Sequence, residues 1–108
     1  MKSRARSTSV LLSQSVREII APLTPELSRL NAEASLLAAA NLRPQLTAEE
    51  RRTRLYRVAE LQTTLWRLEW QLKAALKDQP SEIAEHSRIR DLRGSIAAIH
   101  SKLVALGA

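Results

Sequence analysis

His86 and His100 are the two histidines of this chain, so an acid–base or imidazole–metal site would have to be built on them. Metal sites in helical bundles draw on Glu-x-x-His or His-x-x-x-His pairs projected from several helices. Neither histidine belongs to such a pair, and Glu82 and Glu85 supply a single carboxylate pair nearby. The chain has no cysteine. That excludes thiol catalysis, a disulfide scaffold and Cys-ligated zinc, and it fits a reducing compartment. There is no glycine-rich phosphate loop, and no Ser-His-Asp set can be assembled on spacing. The expectation is a protein that is not an enzyme, with no metal, cofactor or small-molecule substrate.

Two short patterns carry a resemblance. Arg93 and His100, near the end of a helical stretch, have six residues between them. This resembles the Arg-x4–6-His motif of HEPN ribonucleases, helical bundles whose Arg and His act at a dimer interface. At i and i+7 the two share one helix face, but Gly94 stands where a polar residue usually follows the Arg. Leu55-Tyr56-Arg57 is similar to the tripeptide of the mitochondrial LYR-motif proteins, small basic three-helix assembly factors and accessory subunits. In that family the tripeptide lies near the start of the first helix and has a Phe downstream. Here it lies mid-chain, and the chain has no Phe. No residue role is carried across from either match.

Residues suited to binding are more plentiful. Tyr56, Trp66 and Trp70 fall on one helical line with Ala59, Thr63 and Ala74. Two readings stay open for this line. It is either a mixed small-and-large core seam or an exposed aromatic anchor for a partner, since Trp and Tyr are enriched at binding hot spots. Tyr56, Trp66 and Trp70 are therefore the candidate partner-binding residues. A second set is basic: Lys2, Arg4 and Arg6 in the first eight residues, then Arg51, Arg52, Arg54 and Arg57. Arginines can pair with phosphates in a salt-dependent way. The same run also reads as a solvated helix start facing acids elsewhere in the chain.

These residues need a long helix to position them. Leu46 to Asp78 opens on Thr47 and Glu50, a capping box. Glu49 and Glu50 face the positive end of the helix dipole, and Pro80 closes the stretch. Val58, Leu61, Leu65, Leu68, Leu72 and Leu76 form a second line, about 140° around from the aromatic one. Two apolar lines predict packing on two sides, against helices of this chain or against one of them and a partner.

On either side lie two further helical patterns. Before the central helix, Leu12, Val16, Ile19 and Leu23 share a face that continues as Leu27, Leu30, Ala34 and Leu37. Pro22 and Pro25 interrupt it, with Ser7 to Ser9 as a first cap and Thr24 as a fresh one. After it, Ser81 can cap a helix whose seam is Ile89, Leu92, Ile96, Ile99, Leu103 and Leu106, ending at Gly107. Ser28, Ala32, Ser35 and Ala39 form a line of small residues, as do Ser87, Gly94, Ala98, Ser101 and Ala105. Such lines let another helix approach closely. Gly94 reads either as a tolerated glycine or as a point of close contact.

The predicted architecture is all-α: an antiparallel three-helix bundle or long helical hairpin with coiled-coil-like packing, one domain over 1–108. The helices are expected at about 9–40, 48–78 and 82–106, the first kinked at Pro22-Pro25. Residues 1–8 form a basic arm that carries half of the net charge of +6. The composition of residues 1–17 is also similar to a mitochondrial transit peptide. No apolar run approaches a membrane span. An intracellular protein is expected, cytoplasmic ahead of mitochondrial. Its expected function is a non-catalytic helical protein–protein interaction module: an adaptor, an assembly factor or a small structural subunit. Its partners would be other protein helices, from a second copy or a larger assembly. The alternative is a nucleic-acid-binding accessory that uses the basic arm and the Arg-rich helix start.

Overall fold

The computed structural model describes residues 12–40 and 46–107. Every regular element among them is helical: α1 (Gln14–Ile20), α2 (Leu23–Ala40), α3 (Ala48–Leu76), α4 (Ser81–Ala84) and α5 (Ser87–Ala105). The basic arm, the cap expected at Ser7 to Ser9 and the connector up to residue 45 lie outside the described residues. No described helix is long and apolar enough to cross a membrane.

Helix α3 begins where its capping box predicts. Thr47 Oγ1 accepts from the Glu50 amide at 3.0 Å, and Glu50 Oε1 accepts from the Thr47 amide at 2.9 Å. Its 29 residues give a rod about 43 Å long. It stops at Leu76, two residues before the expected end. Lys77 is extended and Asp78 has φ 64°, a left-handed turn that aspartate tolerates. The turn lets the chain reverse before Pro80, which disfavours helix in the residue ahead of it.

The first helical segment, expected as one helix kinked over Pro22-Pro25 or as two helices end to end, is two helices with a break confined to Ala21-Pro22. Pro22 has no amide hydrogen to give to the Glu18 carbonyl, so the ladder stops there. Ser13 caps α1, its Oγ accepting from the Val16 amide at 3.2 Å. Thr24 is not a cap, because the Glu26 amide already reaches the Pro22 carbonyl at 3.3 Å. Pro25 sits in the first turn of α2, where an amide hydrogen has no intrahelical acceptor in any case.

The helix expected over 82–106 is also divided. Ser81 opens the single turn α4 and does not cap it; Pro80 holds the cap position. Glu85 ends that turn, and His86 turns extended and caps α5, its Nδ1 accepting from the Arg88 amide at 3.1 Å. A polar side chain that bonds its own backbone offers the chain an exit from the helix, and His86 takes it.

The buried apolar residues form one cluster. Val58, Leu61, Leu65, Leu68 and Leu72 of α3 are buried, with Leu76 at the margin. They meet Leu23, Leu27, Leu30 and Ala34 of α2 and Ile89, Leu92, Ile96, Ile99 and Leu103 of α5. Helices α2 and α3 run antiparallel, since Glu26 meets Arg67, Glu33 meets Arg57 and the Leu37 carbonyl meets Arg54. Helices α3 and α5 are antiparallel as well, with Leu55 against Gly107 and Gln62 against His100. Consequently α2 and α5 run the same way, and Lys102 Nζ donates to Asn31 Oδ1 and Ser35 Oγ between them. Helix α1 packs on α3. The body measures 62 × 24 × 18 Å.

Two packing expectations need correction, and one open reading is decided. Ile19 does not join the buried face: it is 43% exposed, and Ile20 is buried in its place. The rotation of this short helix is set by α3, which its own spacing does not encode. The small-residue lines do not seat another of the described helices closely, since Ser28, Ala32, Ser35 and Ala39 on α2 and Ala98, Ser101 and Ala105 on α5 are exposed. Gly94 is not a point of close contact, because a Cβ built on it would meet nothing within 4 Å.

Candidate functional site

The aromatic line of α3 is not a core seam. Tyr56, Trp66 and Trp70 are 69%, 55% and 70% exposed, and Ala59, Thr63 and Ala74 are exposed between them. The capped, uninterrupted rod fixes their common direction, because 100° per residue places all six within about 80° of arc. The opposite stripe, led by Leu65 and Leu68, fills the core. Of the two packing sides that the sequence implies, the described residues cover one and leave the other open.

The open face borders a groove between α3 and α5. Leu65, Trp66, Glu69, Leu72, Lys73 and Leu76 line it from α3, and Arg93, Ile96, Ala97 and His100 from α5. Its volume is about 570 Å³. The floor is aliphatic, while Lys73 and Arg93 stand exposed on the two rims. Lys73 Nζ lies 5.6 Å from the centroid of the Trp70 ring, a cation–π distance. Buried Gln62 places its Nε2 3.4 Å from His100 Nδ1, and its Oε1 has no partner among the described residues.

Sequence spacing brought Arg93 and His100 to one face of α5, and both line this groove. Among the described residues no group of three or more His, Asp or Glu could hold a metal ion. The groove itself is not legible in the sequence. Its one local signal is the line Arg93, Ala97, His100 and Val104 at spacings of four, three and four. That line flanks the α5 seam and places a small side chain opposite Trp66.

The basic candidates divide. Lys2, Arg4 and Arg6 lie outside the described residues. Arg51 and Arg52 are exposed. Arg54 donates to the Leu37 carbonyl at 3.2 Å, near the C-terminal end of α2. Arg57 clamps Glu33 through Nε, at 2.9 Å, and through Nη2, and it reaches Glu60 at 3.2 Å. The hydrogen bond to Glu33, then that to Glu60, hold the Arg57 guanidinium above the ordinary arginine range. These two arginines tie α3 to α2.

A second groove, about 310 Å³, lies between α2 and α5 and is lined by Ser28, Asn31, Asp91, Ser95 and Ala98 among others. The small residues leave this space open to water. Comparison with protein-family models, with curated proteins and with solved structures finds no match to this chain.

Proposed function

We propose that this chain is a non-catalytic helical protein–protein interaction module, an adaptor, assembly factor or small structural subunit, built as an antiparallel three-helix bundle with coiled-coil-like packing. It would offer the outer face of α3 and the adjoining α5 groove to a helix of another protein. The observation that carries this reading is the exposure of Tyr56, Trp66 and Trp70 on one face of a helix whose other face is buried. Large aromatic side chains held in water on a rigid element are the usual makings of an interface hot spot.

The test is affinity purification from the cells that make the protein, using wild type and Trp66→Ala/Trp70→Ala. A protein that is retained by the wild type and lost from the variant is expected, with the same molar mass and unfolding midpoint for both chains. An unchanged set of retained proteins would overturn the reading. So would a variant that unfolds, because the tryptophans would then be structural.

The nucleic-acid alternative has weaker support. Of its four helical arginines, Arg54 and Arg57 are engaged within the chain. Titration with duplex and single-stranded DNA at two salt concentrations tests it, because phosphate binding falls steeply with salt.

A further inference from the structure

The reading of the α3–α5 groove as a docking surface leaves the partner's chemistry open, and the charges around the groove narrow it. On the exposed sector of α3 from Leu55 round to Tyr56, about 100° wide, Arg52 and Lys73 are present and no acid is, and Lys77 follows just past the helix end. On α5, Arg90 and Arg93 flank the same side, while Asp91 lines the other groove, with Ser28 and Asn31. Glu69 is the carboxylate among the groove-lining residues. Among the described residues, Arg52, Lys73, Lys77, Arg90 and Arg93 have no carboxylate within ion-pair distance, whereas Arg29, Arg57 and Arg67 do. The outward cations on this side are among those the fold has not neutralised, as are Arg17, Arg51 and Arg88 on other faces, and on this side no carboxylate but Glu69 stands beside them.

We propose that the groove takes an acidic amphipathic helix of another protein. This rests on the docking reading given above. The lined stretch from Leu65 to Leu76 is about 16 Å long, three helical turns, which suits three apolar side chains at i, i+4 and i+7. Those side chains would lie on Leu72, Leu76, Ile96 and Ala97 beside Trp66. Glutamates on the two flanks of the incoming helix would meet Lys73 on one rim and Arg93 on the other. The same charges argue against three other occupants. Pairing of this face with the same face of a second copy would set cations against cations. The chain's own first eight residues carry three bases and no acid. A nucleic acid would set polar base edges on an aliphatic floor that offers them no hydrogen bond.

A displayed library of peptides about four turns long tests the proposal, with leucines fixed at i, i+4 and i+7 and flanking positions drawn from Glu, Gln and Lys. Selection on the full chain is expected to enrich Glu on both flanks. The enriched peptide is then titrated by tryptophan emission, since both tryptophans of the chain lie on this face, and the emission should shift to the blue. Lys73→Glu/Arg93→Glu should weaken that peptide at least tenfold, and repeated selection on the variant should turn to Lys. Both residues are exposed, so the unfolding midpoint should not move. Arg88→Glu, on the α2–α5 side, should leave the affinity unchanged. Binders with no charge bias, or with Lys, would overturn the acidic partner and leave the docking surface standing. No binder at all would overturn both. Mixed-sequence single-stranded DNA binding more tightly than any peptide at physiological salt would overturn the proposal in favour of a nucleic acid.

Discussion

Gln62 is the buried polar side chain among the described residues, and it is poorly satisfied. One contact of 3.4 Å to His100 and a buried Oε1 without a partner do not recover the hydration that it loses. Gln62→Leu is therefore expected to raise stability by about 1 kcal/mol, read as a higher midpoint in urea with an unchanged slope. Arg57 is the contrasting case. Its pair with Glu33 is 43% exposed on the arginine and 31% on the glutamate, so Arg57→Ala should cost only about 0.5–1 kcal/mol. Its folded-state pKa is raised, so the stabilisation is complete below the unfolded arginine value and is lost only as pH climbs past that range. The cost measured by urea titration should then be the same at pH 7 and pH 9. These two residues also mark what a sequence displays at this scale. The Thr47–Glu50 box was legible because both partners lie within four residues and need only a helix. The Arg57–Glu33 and Gln62–His100 pairs were not, because each depends on the register between two helices.

Helix boundaries follow the same division between local and distant causes. The cap of α3, the stop before Pro80 and the end near Gly107 are local, and all three fall within two residues of where the sequence puts them. The break at Glu85-His86 is not visible in the sequence because the seam from Ile89 onward keeps its period and hides a capping histidine three residues earlier. The choice of Ile20 over Ile19 is not visible in the sequence because either residue satisfies a three-four spacing with Val16 and Leu23, and only packing on α3 chooses between them. Two substitutions test helix-level physics directly. Gly94 lies inside α5 with open space around it, so Gly94→Ala should stabilise by about 1 kcal/mol. Had the glycine served a close helix contact, the same change would destabilise, so the sign of the shift in the thermal midpoint decides. Thr47→Ala removes one arm of the capping box and should cost about 1 kcal/mol by the same measurement.

At the scale of the whole molecule, the question is why a chain of this size keeps two apolar lines on one helix. Its core contains no aromatic side chain: leucine, isoleucine, valine and alanine fill it. The aromatic bulk that could have deepened that core stands in water on the far side of α3. A fold that covered the aromatic line would need a further helix, and the described residues supply none there. Adjacent residues on one rod therefore have separable duties, and single substitutions should expose this. Leu65 is 1% exposed and central to the cluster, so Leu65→Ala should cost about 2–5 kcal/mol of stability. Trp66, its immediate neighbour, loses a larger side chain on truncation, yet Trp66→Ala should change stability by no more than about 0.5 kcal/mol, as an exposed position does. Urea denaturation followed by circular dichroism gives both numbers without relying on the tryptophans as probes. A cost for Trp66→Ala equal to that for Leu65→Ala would mean that the outer face of α3 is covered within the molecule itself, by a second copy or by the residues outside the described range. Dilution separates those two, since only the first makes the midpoint depend on protein concentration.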